Sequence, residues 1–103
     1  MSAFSDPDSA SASQKAVTGS VRLLHEAGLH ARPSVKLSKL AKKYSARISI
    51  AHSPDGPWID AKSIVKLMAA KMPRDTLLHF HAEGDDAEAA VYALVALVEQ
   101  DFP

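Results

Sequence analysis

Apolar residues recur along this chain with two different periods. Leu37, Leu40, Ala41 and Tyr44 have the i, i+3, i+4, i+7 spacing of one helix face. Over residues 76–82 the apolar positions recur at every second residue, which is typical of a strand with one buried face. In full, the pattern predicts strands at residues 21–25, 47–52, 58–61 and 76–82, and helices at residues 31–44, 64–70 and 85–99.

The order of these elements favours an α+β fold. Strands and helices are mixed without a regular strand-helix-strand repeat, so we expect helices layered on one face of an antiparallel sheet. In the last strand Leu78 and Phe80 lie on one face, whereas His79 and His81 lie on the other. We expect the histidine face to be solvated. No third ligand is spaced to complete a zinc site with this pair, so we predict no metal.

Polar residues mark the ends of the two later helices. Ser63 is a good N-cap for the second helix, and Pro73 prevents that helix from continuing. Asp85 and Glu88 have the spacing of a capping box, which predicts the start of the third helix.

The stretch from Gly28 to Pro33 carries the candidate chemistry. Pro33 is tolerated only in the first turn of a helix, which places His30 at or just before the helix N-terminus. Free backbone N–H groups make such a terminus an anion site, and Arg32 adds donors suited to phosphate oxygens. An imidazole at this point suggests a group that carries phosphate. From the residues alone, an ordinary exposed histidine before a glycine-permitted turn is the alternative.

Composition narrows the class of protein. A chain of 103 residues forms one small domain, and its 12 basic and 12 acidic residues give no net charge for binding nucleic acid. There is no cysteine, which excludes disulfides and thiolate metal sites. No apolar run approaches the roughly 18 residues of a membrane span, and the first residues lack a signal-peptide pattern. We therefore expect a cytoplasmic protein that does not insert into membranes.

The first residues differ in composition from the rest. Residues 1–19 are rich in serine and alanine and show no apolar period. Such a segment buries too little surface to offset its ordering entropy, so we predict a disordered extension followed by a domain at residues 20–103.

Two stretches together resemble a known family. Residues 28–33, Gly-Leu-His-Ala-Arg-Pro, resemble the active-site signature of HPr, the histidine-containing phosphocarrier of the phosphoenolpyruvate-dependent phosphotransferase system. Residues 61–67, Ala-Lys-Ser-Ile-Val-Lys-Leu, resemble the segment around its regulatory serine. The resemblance implies an open-faced sandwich, in which three helices cover one face of a four-stranded antiparallel sheet. It also implies a monomer without a cofactor.

The resemblance assigns roles to three residues. His30 matches the histidine that takes a phosphoryl group on Nδ1 from enzyme I and passes it to EIIA-type acceptors. Arg32 matches the arginine that pairs with this phosphate. Ser63 matches a serine that HPr kinase/phosphorylase modifies in some lineages, although its use as a helix cap is an equal explanation. The protein would thus be a phosphoryl relay rather than an enzyme.

Partner recognition by the family suggests a surface next to the histidine. The short helix that Ser63 begins carries more apolar groups than it can bury, so we predict a partner surface of four residues: Ile64, Leu67, Met68 and Met72. Core packing is the alternative for each of them.

The resemblance also leaves open questions. Family members commonly have glycine near Lys71 and near Asp75, so we expect a strained helix exit here. A regulatory, nitrogen-type paralogue and a module that binds a phosphorylated ligand without covalent transfer are the alternative functions.

Overall fold

In the part of the chain that the structure describes, four strands form an antiparallel sheet and three helices cover one face of it. The computed structural model describes residues 16–103. In chain order the elements are β1 (Ala16–Arg22), α1 (Ala31–Ala41), β2 (Arg47–Ala51), β3 (Ile59–Asp60), α2 (Ile64–Ala70), β4 (Leu77–Glu83) and α3 (Ala87–Glu99). The predicted order of elements and the α+β sandwich are therefore confirmed.

The last strand, β4, is one of the two inner strands of the sheet. The strand order is β1-β4-β2-β3, and Phe80 of β4 pairs with Gly19 on one side and Ile50 on the other. Leu78, Phe80 and Ala82 are fully buried, which confirms the predicted alternation along this strand. The histidines between them are only half-buried. The helices cover the apolar side, so the histidines lie on the open face.

Helix α3 approaches β1 closely at Gly19. A Cβ atom built on Gly19 would lie 2.7 Å from Cγ1 of Val91, closer than real Cβ atoms approach a neighbour. The missing side chain thus lets the helix pack directly on the strand.

The first strand begins earlier than the apolar pattern predicts. β1 covers Ala16–Arg22 rather than residues 21–25, and Ala16 pairs with Glu83. The predicted domain start at residue 20 is therefore four residues too late. Main-chain hydrogen bonds to β4 hold residues 16–19 in the sheet. The side chains of these residues show no apolar alternation, so the sequence pattern does not indicate a strand there. The remaining part of the predicted extension, residues 1–15, lies outside the described residues.

Helix α1 ends at Ala41 rather than residue 44. After it, the N–H groups of Lys43 and Tyr44 donate to the carbonyl oxygens three residues before them, at 3.0 and 3.2 Å. This tighter turn closes the helix. Tyr44 still packs against the core, which explains why it continued the apolar pattern.

Asp86 joins the start of α3 to the start of β2. Its carboxylate accepts hydrogen bonds from the main-chain N–H groups of Ser45 and Ala46, both at 2.8 Å. The capping box predicted from Asp85 and Glu88 is wrong. The N-cap position is Asp86, whose side chain bonds across the fold instead of capping its own helix. The hydrogen bond from the Ser45 N–H, with that from Ala46, favours the ionised carboxylate and lowers the Asp86 pKa from its ordinary value of 3.8.

Removing the Asp86 carboxylate should destabilise the protein more at neutral pH than at acidic pH. Because folding lowers the pKa of Asp86, its contribution to stability is present above the ordinary value of 3.8 and is lost as pH falls below it. We expect Asp86→Ala to lower the melting temperature at pH 7, with a smaller effect at pH 3. Thermal melts at both pH values test this. The exposed neighbour provides the control, Asp85→Ala, and an equal effect of the two variants at pH 7 would contradict the assignment.

Candidate functional site

His30 lies at the N-terminus of α1, as predicted. It occupies the N-cap position with an extended backbone (φ −90°, ψ −160°), and its side chain makes no capping hydrogen bond. The N–H of Ser34 donates to the His30 carbonyl oxygen at 3.0 Å, which begins the helix, and Pro33 is buried in the first turn. The imidazole is exposed. Unpaired backbone donors and the positive end of the helix dipole therefore lie beside a solvent-accessible ring.

The loop before the helix is fastened to the segment after α2. The N–H of Leu29 donates to the carbonyl oxygen of Met72 at 2.8 Å. Gly28 has φ +75°, and a Cβ there would lie 2.5 Å from the same oxygen. Only glycine meets both conditions, so the residue type at 28 fixes how the loop approaches this segment.

Arg32 is the second residue of α1 and is exposed. Within residues 16–103 no side-chain hydrogen bond or ion pair engages its guanidinium. No other residue of this part of the chain competes for its donors, and an anion at the helix terminus would lie two residues away.

An apolar groove of about 380 Å³ adjoins His30. It lies between the loop and α2, and the residues that line it include Leu29, His30, Met68 and Lys71. The histidine is thus at the edge of a shallow recess and not inside a closed pocket.

The predicted partner surface is only partly exposed. Met68 is 42% exposed and Ile64 is half-buried, but Leu67 and Met72 are 0% and 3% exposed. The prediction that Leu67 and Met72 present their side chains to a partner is therefore wrong. One face of this short helix packs on the core, and Met72 follows the helix at a point where the chain turns inward.

Ser63 caps α2, as predicted. Its Oγ accepts a hydrogen bond from the N–H of Lys66 at 3.2 Å. The side chain is half-buried, and its structural use as a cap is evident.

The exit from α2 has the strain that the missing glycines suggest. Lys71 ends the helix in the left-handed conformation (φ 49°, ψ 46°), and Asp75 has φ 76°. Main-chain atoms of Asp75 are held by hydrogen bonds to the Leu23 carbonyl oxygen and from the Arg22 guanidinium, both at 2.7 Å. These contacts fix a backbone that an L-residue rarely adopts.

His25, which was not predicted as a site residue, lies beside His30. The two ring centroids are 5.1 Å apart and the rings are tilted by 34°. Nδ1 of His25 lies 2.9 Å from Oδ1 of Asp101. The centroid of the His25 ring lies 5.9 Å from that of Phe102, and the two rings are nearly perpendicular. A histidine directly before the loop was the one local signal. The sequence separation of 76 residues between His25 and Asp101 hid the pair.

The described residues contain neither a metal-binding cluster nor a membrane-spanning helix. No three histidine, cysteine or acidic side chains of residues 16–103 are grouped so that they could hold a metal ion. No helix in this part of the chain has the length and apolar character needed to cross a bilayer.

Comparisons with known proteins agree on one family. A family model described as "PTS HPr component phosphorylation site" matches residues 17–100. The multiphosphoryl transfer protein of Vibrio cholerae is 41% identical over 90 residues, and the match covers 86% of this chain but only 22% of that protein. Phosphocarrier protein HPr of Pseudomonas aeruginosa is 32% identical over 82 residues, covering 80% and 90% of the two chains. The crystal structure of HPr-C-His from Thermoanaerobacter tengcongensis matches with a TM-score of 0.74 and 36% identity, covering 85% and 94%.

The left-handed residue next to the groove allows a stabilising substitution. We expect Lys71→Gly to raise the free energy of unfolding by about 0.5 to 1 kcal/mol, because glycine adopts this conformation without steric cost. Urea unfolding of the variant and the parent protein measures the difference. Lys66→Gly, in the helical part of α2, is the control and should lower stability by about 1 kcal/mol. Destabilisation by both variants would show that the side chain of Lys71 matters more than its backbone.

Proposed function

The chain belongs to the HPr family of phosphocarriers of the phosphotransferase system, and from this premise we propose that His30 accepts a phosphoryl group from phosphorylated enzyme I. The group then passes to an EIIA-type acceptor, in sugar transport or its regulation. The observation that carries the proposal is the exposed imidazole of His30 at the start of α1, with Arg32 two residues further along the chain.

The position of His30 suits a group that must both accept and release phosphate. A lone pair of the His30 imidazole forms the new P–N bond, while the P–N bond of the donor breaks and its electron pair stays on the donor. The helix terminus and the Arg32 guanidinium stabilise the phosphoryl oxygens. Because the site is open at the edge of a groove, a partner can approach the phosphorus atom directly and no lid has to move.

In this proposal the protein is a stoichiometric relay in the cytoplasm and not an enzyme. Partners dock on the groove beside His30, where Met68 is an exposed apolar contact. Lys39 of α1 is exposed and would attract an acidic partner. Phosphorylation of Ser63 by a kinase would add about two negative charges to this surface and would regulate docking by repelling an acidic partner.

Intact mass after incubation with phosphoenolpyruvate and enzyme I tests the proposed relay. We expect the mass to increase by one acid-labile phosphoryl group in the parent protein and in the control variant His79→Ala, which alters the open sheet face. His30→Ala should take up none and should melt at nearly the same temperature, because an exposed residue at a helix start contributes little to the core. Labelling of His30→Ala would refute the assignment. Phosphate binding without covalent uptake would favour a non-covalent binding module.

Substitutions in the docking surface should weaken binding without unfolding the protein. Ser63→Asp keeps a side chain that can cap α2, so stability should change little. We expect both Ser63→Asp and Met68→Glu to raise the Kd for enzyme I at least fivefold, through repulsion and, for Met68, through lost apolar contact. The Kd is measured at low and high salt, together with a thermal melt of each variant.

The control for these variants is Tyr92→Glu, which adds a negative charge to α3, where Tyr92 is 79% exposed and does not line the groove. Equal affinity of the parent protein and Met68→Glu would place the docking surface elsewhere.

A further inference from the structure

His25 and Asp101 form a pair beside the proposed phosphoryl acceptor. The carboxylate of Asp101 can only accept a hydrogen bond, so the 2.9 Å contact places a proton on Nδ1 of His25. Within the described residues no hydrogen bond engages the other ring nitrogen, Nε2. Asp101 therefore orients the His25 ring at one nitrogen, and the second nitrogen has no partner among residues 16–103. The centroid of the ring lies 5.1 Å from that of His30.

The backbone that follows α3 holds Asp101 beside His25. After α3 both Asp101 and Phe102 adopt left-handed backbone conformations, with φ 60° and 55°. The N–H of Asp101 donates to the Val98 carbonyl oxygen at 3.0 Å, and that of Phe102 donates to the Leu97 carbonyl oxygen at 2.9 Å. Phe102 is 4% exposed and packs against the His25 ring. These contacts turn the end of α3 towards the loop that carries His30.

We propose that His25 is a second binding residue for the phosphoryl group on His30. The Asp101 carboxylate and a phosphoryl dianion on the neighbouring ring are both negatively charged, so a proton on each ring nitrogen of His25 can pair with one of them. The proton that His25 then carries on Nε2 is donated to a phosphoryl oxygen. This inference rests on the proposed function of His30, and it adds a charged donor that the helix terminus and Arg32 do not provide.

Transfer and proton uptake are separate in this scheme. The P–N bond to the donor breaks as the bond to His30 forms, and His25 takes its proton from solvent when the dianion arrives. When the group leaves, His25 returns the proton to solvent. Other charged side chains on the adjoining segments include Glu26 in the loop, Arg32 and Lys36 on α1, and Lys71 at the end of α2. Lys36 Nζ donates to the Pro103 carbonyl oxygen at 3.2 Å.

The lifetime of phosphohistidine tests the inference without enzyme I. The intact protein is loaded with phosphoramidate, a small-molecule phosphoryl donor, and loss of the acid-labile phosphate is followed at pH 6, 7, 8 and 9. We expect His25→Ala to shorten the half-life on His30 about three- to fivefold at pH 7, the size of effect that an exposed charge pair supports. The ratio should approach 1 at pH 9, where an ordinary histidine is neutral.

Three further variants separate binding from packing. His25→Gln restores an N–H donor and should recover part of the lifetime at every pH. Asp101→Asn keeps an acceptor for Nδ1–H but removes the charge, so it should weaken the effect at pH 7 and leave the melting temperature nearly unchanged. His79→Ala, on the open sheet face, should behave as the parent protein.

The outcomes distinguish this inference from the proposed relay. Equal half-lives of the parent protein and His25→Ala at pH 7 would overturn it, as would a difference that persists unchanged at pH 9. Phosphate found on His25 itself would also overturn it. Failure of enzyme I to load the parent protein would instead count against the relay, because loading with phosphoramidate does not depend on that partner.

Discussion

One main-chain hydrogen bond, from the Leu29 N–H to the Met72 carbonyl oxygen at 2.8 Å, holds the candidate site in its place. It joins the loop before α1 to the segment after α2, so the histidine and the groove have a fixed relation. The bond requires glycine at position 28, because any Cβ would collide with the same oxygen. The open position of His30, its helix terminus and the adjoining apolar groove all depend on this close approach.

Features that follow from local pattern could be predicted from the sequence. The alternation along β4 correctly predicted that Phe80 is in the core, and Pro33 correctly predicted that His30 is at a helix start. Both predictions rest on a few consecutive residues. Ser63 as a cap is of the same kind. The absence of glycine at Lys71 correctly indicated a strained helix exit, since a left-handed residue there follows from how the helix must end.

Features that depend on distant residues could not be predicted in this way. β1 begins at Ala16 because Glu83 lies opposite, and the carboxylate of Asp86 bonds to residues 40 and 41 positions before it. Leu67 is fully buried for a similar reason, since the face that α2 turns to the core is decided by packing. The importance of His25 could not be predicted, because it depends on a contact with Asp101, 76 residues further along the chain.

The strand order also has a consequence for how the chain folds during synthesis. Among the described residues β1 is hydrogen-bonded only to β4, so this ladder cannot form until residues 77–83 have left the ribosome. The earlier pair, β2 with β3, comprises only two residue pairs and is too short to be stable alone. We therefore expect the nascent chain to remain without a sheet over most of its length and then to fold in one cooperative step, at a rate limited by closure of this long loop.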